Sequence, residues 1–131
     1  MLSCDISNAY LNLLCDDELW TVVGKEFVSL PSTLMQINQA FYGLKSTGNS
    51  WHKALSKTLS NMNVEPSRAD PYIWLRMSTN SIREEYREWI VGYVKDLLEI
   101  SEYPKSIMNY FSTYDLKDTV SPPDRYLGAN A

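Results

Sequence analysis

Two aspartates far apart in the chain carry the most pointed chemistry. Asp5 lies near the end of a short strand candidate, Met1 to Ile6, and Asp96 stands in Tyr93-Val94-Lys95-Asp96-Leu97-Leu98, whose apolar flanks predict a hairpin with Lys95-Asp96 at its tip. Strand ends set side by side bring carboxylates close together, the arrangement on which two-metal phosphoryl transfer is built. Alone the pair is weak evidence, because any domain carries aspartates in turns.

Other candidate chemistries fall away. Nucleophilic catalysis of the Ser-His-Asp or Cys-His kind needs a held histidine, and the single one, His52, follows Trp51 on a predicted amphipathic helix with no Gly-x-Ser-x-Gly elbow to serve. It reads as a solvent-facing helix residue. Gly43-Leu44-Lys45-Ser46-Thr47-Gly48-Asn49-Ser50 nearly fits a phosphate-binding loop, but Asn49 stands where the lysine must be, so the reading is rejected. Asp16-Asp17-Glu18 reads as a solvated turn. Lys45, Lys53 and Lys57, with no acid among them, could lie along a phosphate backbone, and equally are routine solubilising charges.

Composition bounds what remains. The chain has 131 residues, with 12 Lys and Arg against 16 Asp and Glu and a net charge of −4. One domain with a real core fits that length. The acidic balance argues against attachment to nucleic acid or an anionic membrane by bulk charge, although a local basic face stays possible. Two cysteines and one histidine cannot build a four-ligand zinc site, and Cys4 and Cys15 read as reduced thiols. With no basic leader and no long apolar run, the expectation is an intracellular chain without a membrane partner, cytoplasmic or nuclear placement staying open.

The elements that must position Asp5 and Asp96 alternate in period. Strands are predicted at Met1 to Ile6, Glu18 to Val23 and Leu34 to Ala40. A helix follows, opening after Ser46-Thr47-Gly48, with Trp51, Leu55, Leu59 and Met62 on its inner face and its end before Pro66. Pro71 to Arg76, Trp89 to Val94 and Leu97 to Ile100 read as strands, with a loose stretch from Ser78 to Glu85. Pro104 suits a helix N1 position ahead of Ile107, Met108 and Phe111. A turn at Ser121 to Asp124 leads to a last short strand, Arg125 to Ala129. The order β-β-β-α-β-β-β-α-β indicates an α+β domain, an antiparallel sheet with helices packed on one face.

With these blocks in place, a family resemblance emerges. Asp5-Ile6-Ser7-Asn8-Ala9-Tyr10-Leu11-Asn12 resembles the D-V-K-N-A-F/Y-L-N motif of copia-type (Pseudoviridae-like) LTR-retrotransposon reverse transcriptases. Ala40-Phe41-Tyr42-Gly43-Leu44-Lys45 followed by Trp51 is similar to their A-L-Y-G-L-K-x5-W block, and Ser67-Arg68-Ala69-Asp70-Pro71 to their S-K-x-D-P. Tyr93-Val94-Lys95-Asp96-Leu97-Leu98 stands where they carry Y-V-D-D-L-L, and Tyr114 to Asp118 and Tyr126-Leu127-Gly128 resemble their closing segments. The blocks keep the family's order and run over nearly the whole chain.

The resemblance implies a partial polymerase palm over residues 1–131, with fingers, thumb and ribonuclease H regions lying outside it. It implies RNA-directed DNA synthesis by two-metal nucleotidyl transfer, with Mg²⁺ or Mn²⁺ as cofactor. Asp5 and Asp96 would be the metal-binding catalytic carboxylates. Tyr10 would screen the sugar of the incoming nucleotide, while Gly43, Lys45, Tyr126 and Gly128 would contact substrate. The implied partners are an RNA/DNA primer-template, a deoxynucleoside triphosphate and the remainder of a Pol polyprotein. Two departures qualify this. Lys95 stands at the position of a catalytic aspartate, so the chain is expected to be catalytically dead. Ser46 replaces the usual glutamine and the proline after it is missing, which weakens nucleotide contacts there. A non-catalytic interaction module recruited on the same fold is the alternative reading.

Overall fold

The computed structural model describes residues 1–27, 32–109, 111, 125–126 and 129–130. Its centre is a five-stranded antiparallel sheet in the order β1-β7-β6-β5-β4, formed by β1 (Leu2–Asp5), β4 (Glu65–Pro66), β5 (Ile73–Thr79), β6 (Glu85–Tyr93) and β7 (Asp96–Ile100). The first strand of the sequence therefore pairs with one of the later ones, and this crossing brings Asp5 to Asp96.

Alternation along each strand separates two faces. Leu2 and Cys4 of β1, Leu97 and Glu99 of β7, Ile90 of β6 and Trp74 of β5 all point to one side and are buried. Helix α1 (Thr47–Ser60) lays Trp51, Leu55 and Leu59 against that side, one face of a 3.6-residue period. The short α2 (Lys105–Met108) adds Ile107 and Met108, and Phe111 follows. All of these residues except Glu99 belong to one core cluster, so both helices cover the same face, as the sequence predicted. Side chains crowd the middle of the sheet, where a Cβ on Gly92 would sit 2.9 Å from the Trp74 ring.

A separate ribbon, β2 (Leu14–Val22) with β3 (Leu34–Gln39), stands apart from this core. Trp20, Val22, Leu34 and Met35 are all exposed on it. Its strand β2 begins four residues earlier than expected, so Asp16-Asp17-Glu18 is strand rather than turn, although its side chains are exposed as expected. The reason is visible in its partners: Asp16 accepts a hydrogen bond from the Ser50 hydroxyl and Asp17 one from Ser46, both at the start of α1. The ladder register shifts between Leu14 and Leu19, across this acidic stretch.

Other boundaries move for local reasons. The loose stretch shrinks to a turn because the Asn80 side-chain oxygen accepts from the amides of Ile82 (3.1 Å) and Glu84 (2.9 Å), and β5 and β6 pair up to Thr79 and Glu85. Strand β5 starts at Ile73, not Pro71, since Asp70 turns the chain by accepting from Tyr72 N at 2.8 Å. The final strand resolves into a small hairpin, β8 (Arg125–Tyr126) against β9 (Ala129–Asn130). The turn at Ser121 to Asp124, the segment Tyr114 to Asp118, and Gly128 lie outside the described residues. No helix among the described residues is long and apolar enough to cross a membrane.

Candidate active site

Asp5 and Asp96 are directly opposed in the β1–β7 ladder. Residues paired in this way hold their Cβ atoms about 4.5–5.5 Å apart on one face. Both lie on the face turned away from the helices, because Cys4 and Leu97 beside them point into the core. The sequence expectation of two carboxylates at adjacent strand ends is therefore what the topology delivers.

The hairpin tip falls one residue earlier than expected. Tyr93 pairs with Asp96, leaving Val94-Lys95 as the two-residue turn. Positive φ occurs only at its first position, Val94 (φ 55), as in a II′ turn where glycine is usual. A β-branched residue held there stores strain on the order of 1–2 kcal/mol. Two contacts hold it: the Trp51 indole N–H donates to the Val94 carbonyl, and the Lys95 carbonyl accepts from Ile6 N at 2.9 Å. Helix α1 and strand β1 thus clamp the turn from both sides.

That geometry aims Lys95 at the carboxylates. Its ammonium forms an ion pair with Asp5 Oδ2, at side-chain exposures of 33% and 19%. The hydrogen bond to Asp5 raises the Lys95 pKa above the ordinary lysine value, burial opposing and the charges of Asp5 and Asp96 adding to the rise. Burial raises the Asp96 carboxyl, with Lys95 pulling it down and Asp5 pushing it up. Asp5 Oδ1 is buried and has no hydrogen-bond partner. Behind them the Cys4 thiol is pushed up to about 12, mainly by burial and then by the charges of Asp5, Glu99 and Asp96, so it is a neutral thiol and no nucleophile.

A groove of about 530 Å³ adjoins the turn, lined by Tyr10, Trp51, His52, Tyr72, Tyr93 and Val94 among others. Tyr10 stacks on Tyr42 with ring centroids 4.5 Å apart. Gly43 turns the chain with φ 103, a conformation that disfavours a side chain, and Lys45 beyond it is exposed. Thr47 opens α1 buried, its hydroxyl donating to the Phe41 carbonyl at 3.2 Å. The structure therefore brings Tyr10 into this groove beside Tyr93 and Val94 of the hairpin, whereas Asp5 and Asp96 do not line it. Gly43 and Lys45 lie on the loop before α1, and Tyr126 lies in β8, whose side chains are not described.

His52 is not solvent-facing. It is half-buried, a ring nitrogen lies 2.9 Å from the Pro71 carbonyl oxygen, and its ring lies 4.8 Å from Tyr72 and 5.6 Å from Trp74. Strand β5 runs close enough to α1 to cover the helix flank, which helical periodicity alone does not reveal. Sequence reasoning missed the Trp51 clamp on Val94 and the Tyr42 stack. The spacing of Trp51 after Gly43-Leu44-Lys45 was the available signal for the first.

No curated protein and no solved structure matches the chain. A family match covers residues 1–131, described as reverse transcriptase (RNA-dependent DNA polymerase). Carboxylates opposed across strand ends and a match along the entire length lead to one conclusion: the chain belongs to the reverse transcriptase family.

Proposed function

We propose that this chain is the palm region of a copia-type reverse transcriptase in which nucleotidyl transfer has been lost. The observation that carries the reading is the ion pair between Lys95 and Asp5. Asp5 and Asp96 stand where the family's metal-binding carboxylates are expected, and Tyr10 stands where its sugar gate is expected.

The residues present do not fit a pair of divalent cations. The orphaned Asp5 Oδ1 is the one feature that suits a cation, whereas Oδ2 is taken by an ammonium. Among the described residues, no group of three His, Cys, Asp or Glu side chains is placed to hold a metal ion. At an effective dielectric of about 20, a unit-charge pair about 4 Å apart is worth roughly 4 kcal/mol. Replacing a carboxylate by Lys95 beside a doubly charged ion changes several such terms, all unfavourably. Lys95 instead gives the carboxylates their counter-charge as a built-in monovalent cation.

Two measurements test this. Mn²⁺ titration is expected to show no saturable binding to the wild-type chain, and binding to appear in Lys95→Asp, which offers a third carboxylate. Primer extension on an RNA template with Mg²⁺ or Mn²⁺ is expected to be absent. Extension by the wild-type chain, or wild-type Mn²⁺ binding as tight as the variant's, overturns the reading.

A further inference from the structure

Glu99 is the one fully buried carboxylate in the apolar core that no ion pair holds among the described residues: its exposure is 0%, and Oε1 has no hydrogen-bond partner. Its strand β7 is the one that carries Asp96 at its other end. Oε2 accepts the amide of Met108 at 3.3 Å, and Met108 closes α2. The amide of Ile107 also bears on this carboxyl, so Glu99 ties the last turn of α2 to the sheet. Helix α2 also packs on β1, the strand of Asp5.

We infer that Glu99 is a proton-controlled latch, holding α2 on the sheet while its carboxyl is neutral and releasing it on ionisation. An ionised carboxylate with one bare oxygen in an apolar cluster regains its hydration only if the cover lifts. The cover is α2 with Ile107, Met108 and Phe111, the last core elements along the described chain. Lifting them leaves β5, β6 and α1 packed on one another.

The surrounding charges set the range. Burial raises the Glu99 carboxyl from 4.5 to about 7; the Met108 amide lowers it, Glu88 on β6 raises it, and Arg76 on β5 and the Ile107 amide lower it. Cys4 on β1 remains a neutral thiol, and α2 itself begins with Lys105. A group whose pKa is raised in the closed state stabilises that state below the open-state pKa and loses its contribution as pH rises to the closed-state value. With limits at 4.5 and about 7, the open fraction rises about forty-fold from pH 5 to pH 7 and levels off above.

Native-state hydrogen exchange, corrected for the intrinsic rate at each pH, tests the latch on the wild-type chain. The Met108 amide is expected to show that forty-fold rise, while the Ile90 amide in the central strand does not follow it. Glu99→Gln, which can still accept from Met108 but cannot ionise, is expected to flatten the profile. Glu99→Met serves as a second neutral replacement should that variant fail to fold. A flat wild-type profile, a profile unchanged in the neutral variants, or loss of protection at Ile90 in step with Met108 overturns the inference. None of these outcomes depends on metal binding or polymerase activity.

Discussion

The Lys95–Asp5 pair invites a double-mutant cycle: Lys95→Met, Asp5→Asn and both together. Lys95→Met keeps most of the stem and removes the charge, leaving Asp5 with neither oxygen partnered, since Oδ1 has no partner already. Exposed pairs couple by about 0.2–1 kcal/mol, and breaking a buried pair costs about 3–5 kcal/mol. With side chains 33% and 19% exposed, this pair falls between those limits, and a coupling of about 1–2 kcal/mol is expected. The single variant Lys95→Met is expected to lose about 2–3 kcal/mol, because it strands a half-buried carboxylate opposite Asp96. The double variant should recover most of that loss. Urea denaturation monitored by tryptophan fluorescence gives all corners of the cycle, provided the slopes stay equal. The sign with pH follows from Lys95, whose pKa is raised above 10.5 in the folded chain by the Asp5 hydrogen bond. Its contribution is present in full below 10.5 and lost only as pH rises through the higher folded value, so the gap between wild type and Lys95→Met should be constant from pH 6 to 9. A coupling under about 0.3 kcal/mol would make Lys95 an ordinary surface lysine and refute its role as the counter-charge of the strand ends.

Two further outcomes test the packing behind the site. Arg76→Met is expected to cost about 2–3 kcal/mol, below the range for a fully stranded charge because Glu88, 2% exposed, keeps hydrogen bonds from Tyr86 and Ser101. Burial raises the Glu88 carboxyl, but the bonds from Arg76, Ser101 and Tyr86 and the Arg76 charge outweigh it and hold the pKa below 4.5; the Arg76 contribution is therefore present above pH 4.5 and lost as pH falls through the folded value, and urea midpoints of the two chains should converge in acid. Gly92→Ala would set a Cβ 2.9 Å from the Trp74 ring and 3.1 Å from Leu97, an overpacking expected to cost about 1–3 kcal/mol in thermal melts, with Trp74→Phe in the same chain restoring part of it.

What the sequence made legible follows from the kind of signal each feature leaves. Helix α1 could be read from Trp51, Leu55 and Leu59 because a 3.6-residue stripe needs only local spacing. The hairpin around Lys95 was legible from its apolar flanks, but its tip was misplaced by one residue. The strained φ at Val94 depends on the Trp51 and Ile6 contacts, and sequence patterning does not record them. The acidic run at Asp16 is strand for a reason equally distant in sequence: β2 pairs with β3, and the hydroxyls of Ser46 and Ser50, some thirty residues away, hold its aspartates to α1. His52 was assigned to solvent because a helical wheel shows which face is apolar and not which strand crosses the flank. Glu99 escaped notice altogether, since a glutamate in an apolar run looks like an exposed edge until both neighbouring strands are known.

Electrostatics gives a reason for the fold to tolerate a lysine at the tip of this hairpin. The β1–β7 register forces Asp5 and Asp96 into direct opposition, and like charges placed that way in a ladder destabilise it. A fold with this register therefore needs positive charge at the strand ends whatever its function. Divalent ions can supply that charge only when enough carboxylates converge to outcompete water. An ammonium on the turn between the paired strands supplies it covalently, with no dependence on ion concentration. On the reading proposed here, the substitution at Lys95 removes catalysis and the demand for metal together, so the strand ends stay closed without a bound ion. Lys95→Met would then expose what the register costs when nothing neutralises it. That loss should shrink when Mn²⁺ is added only if Asp5 and Asp96 alone can hold an ion, and with just these two carboxylates opposed at the strand ends no shrinkage is expected.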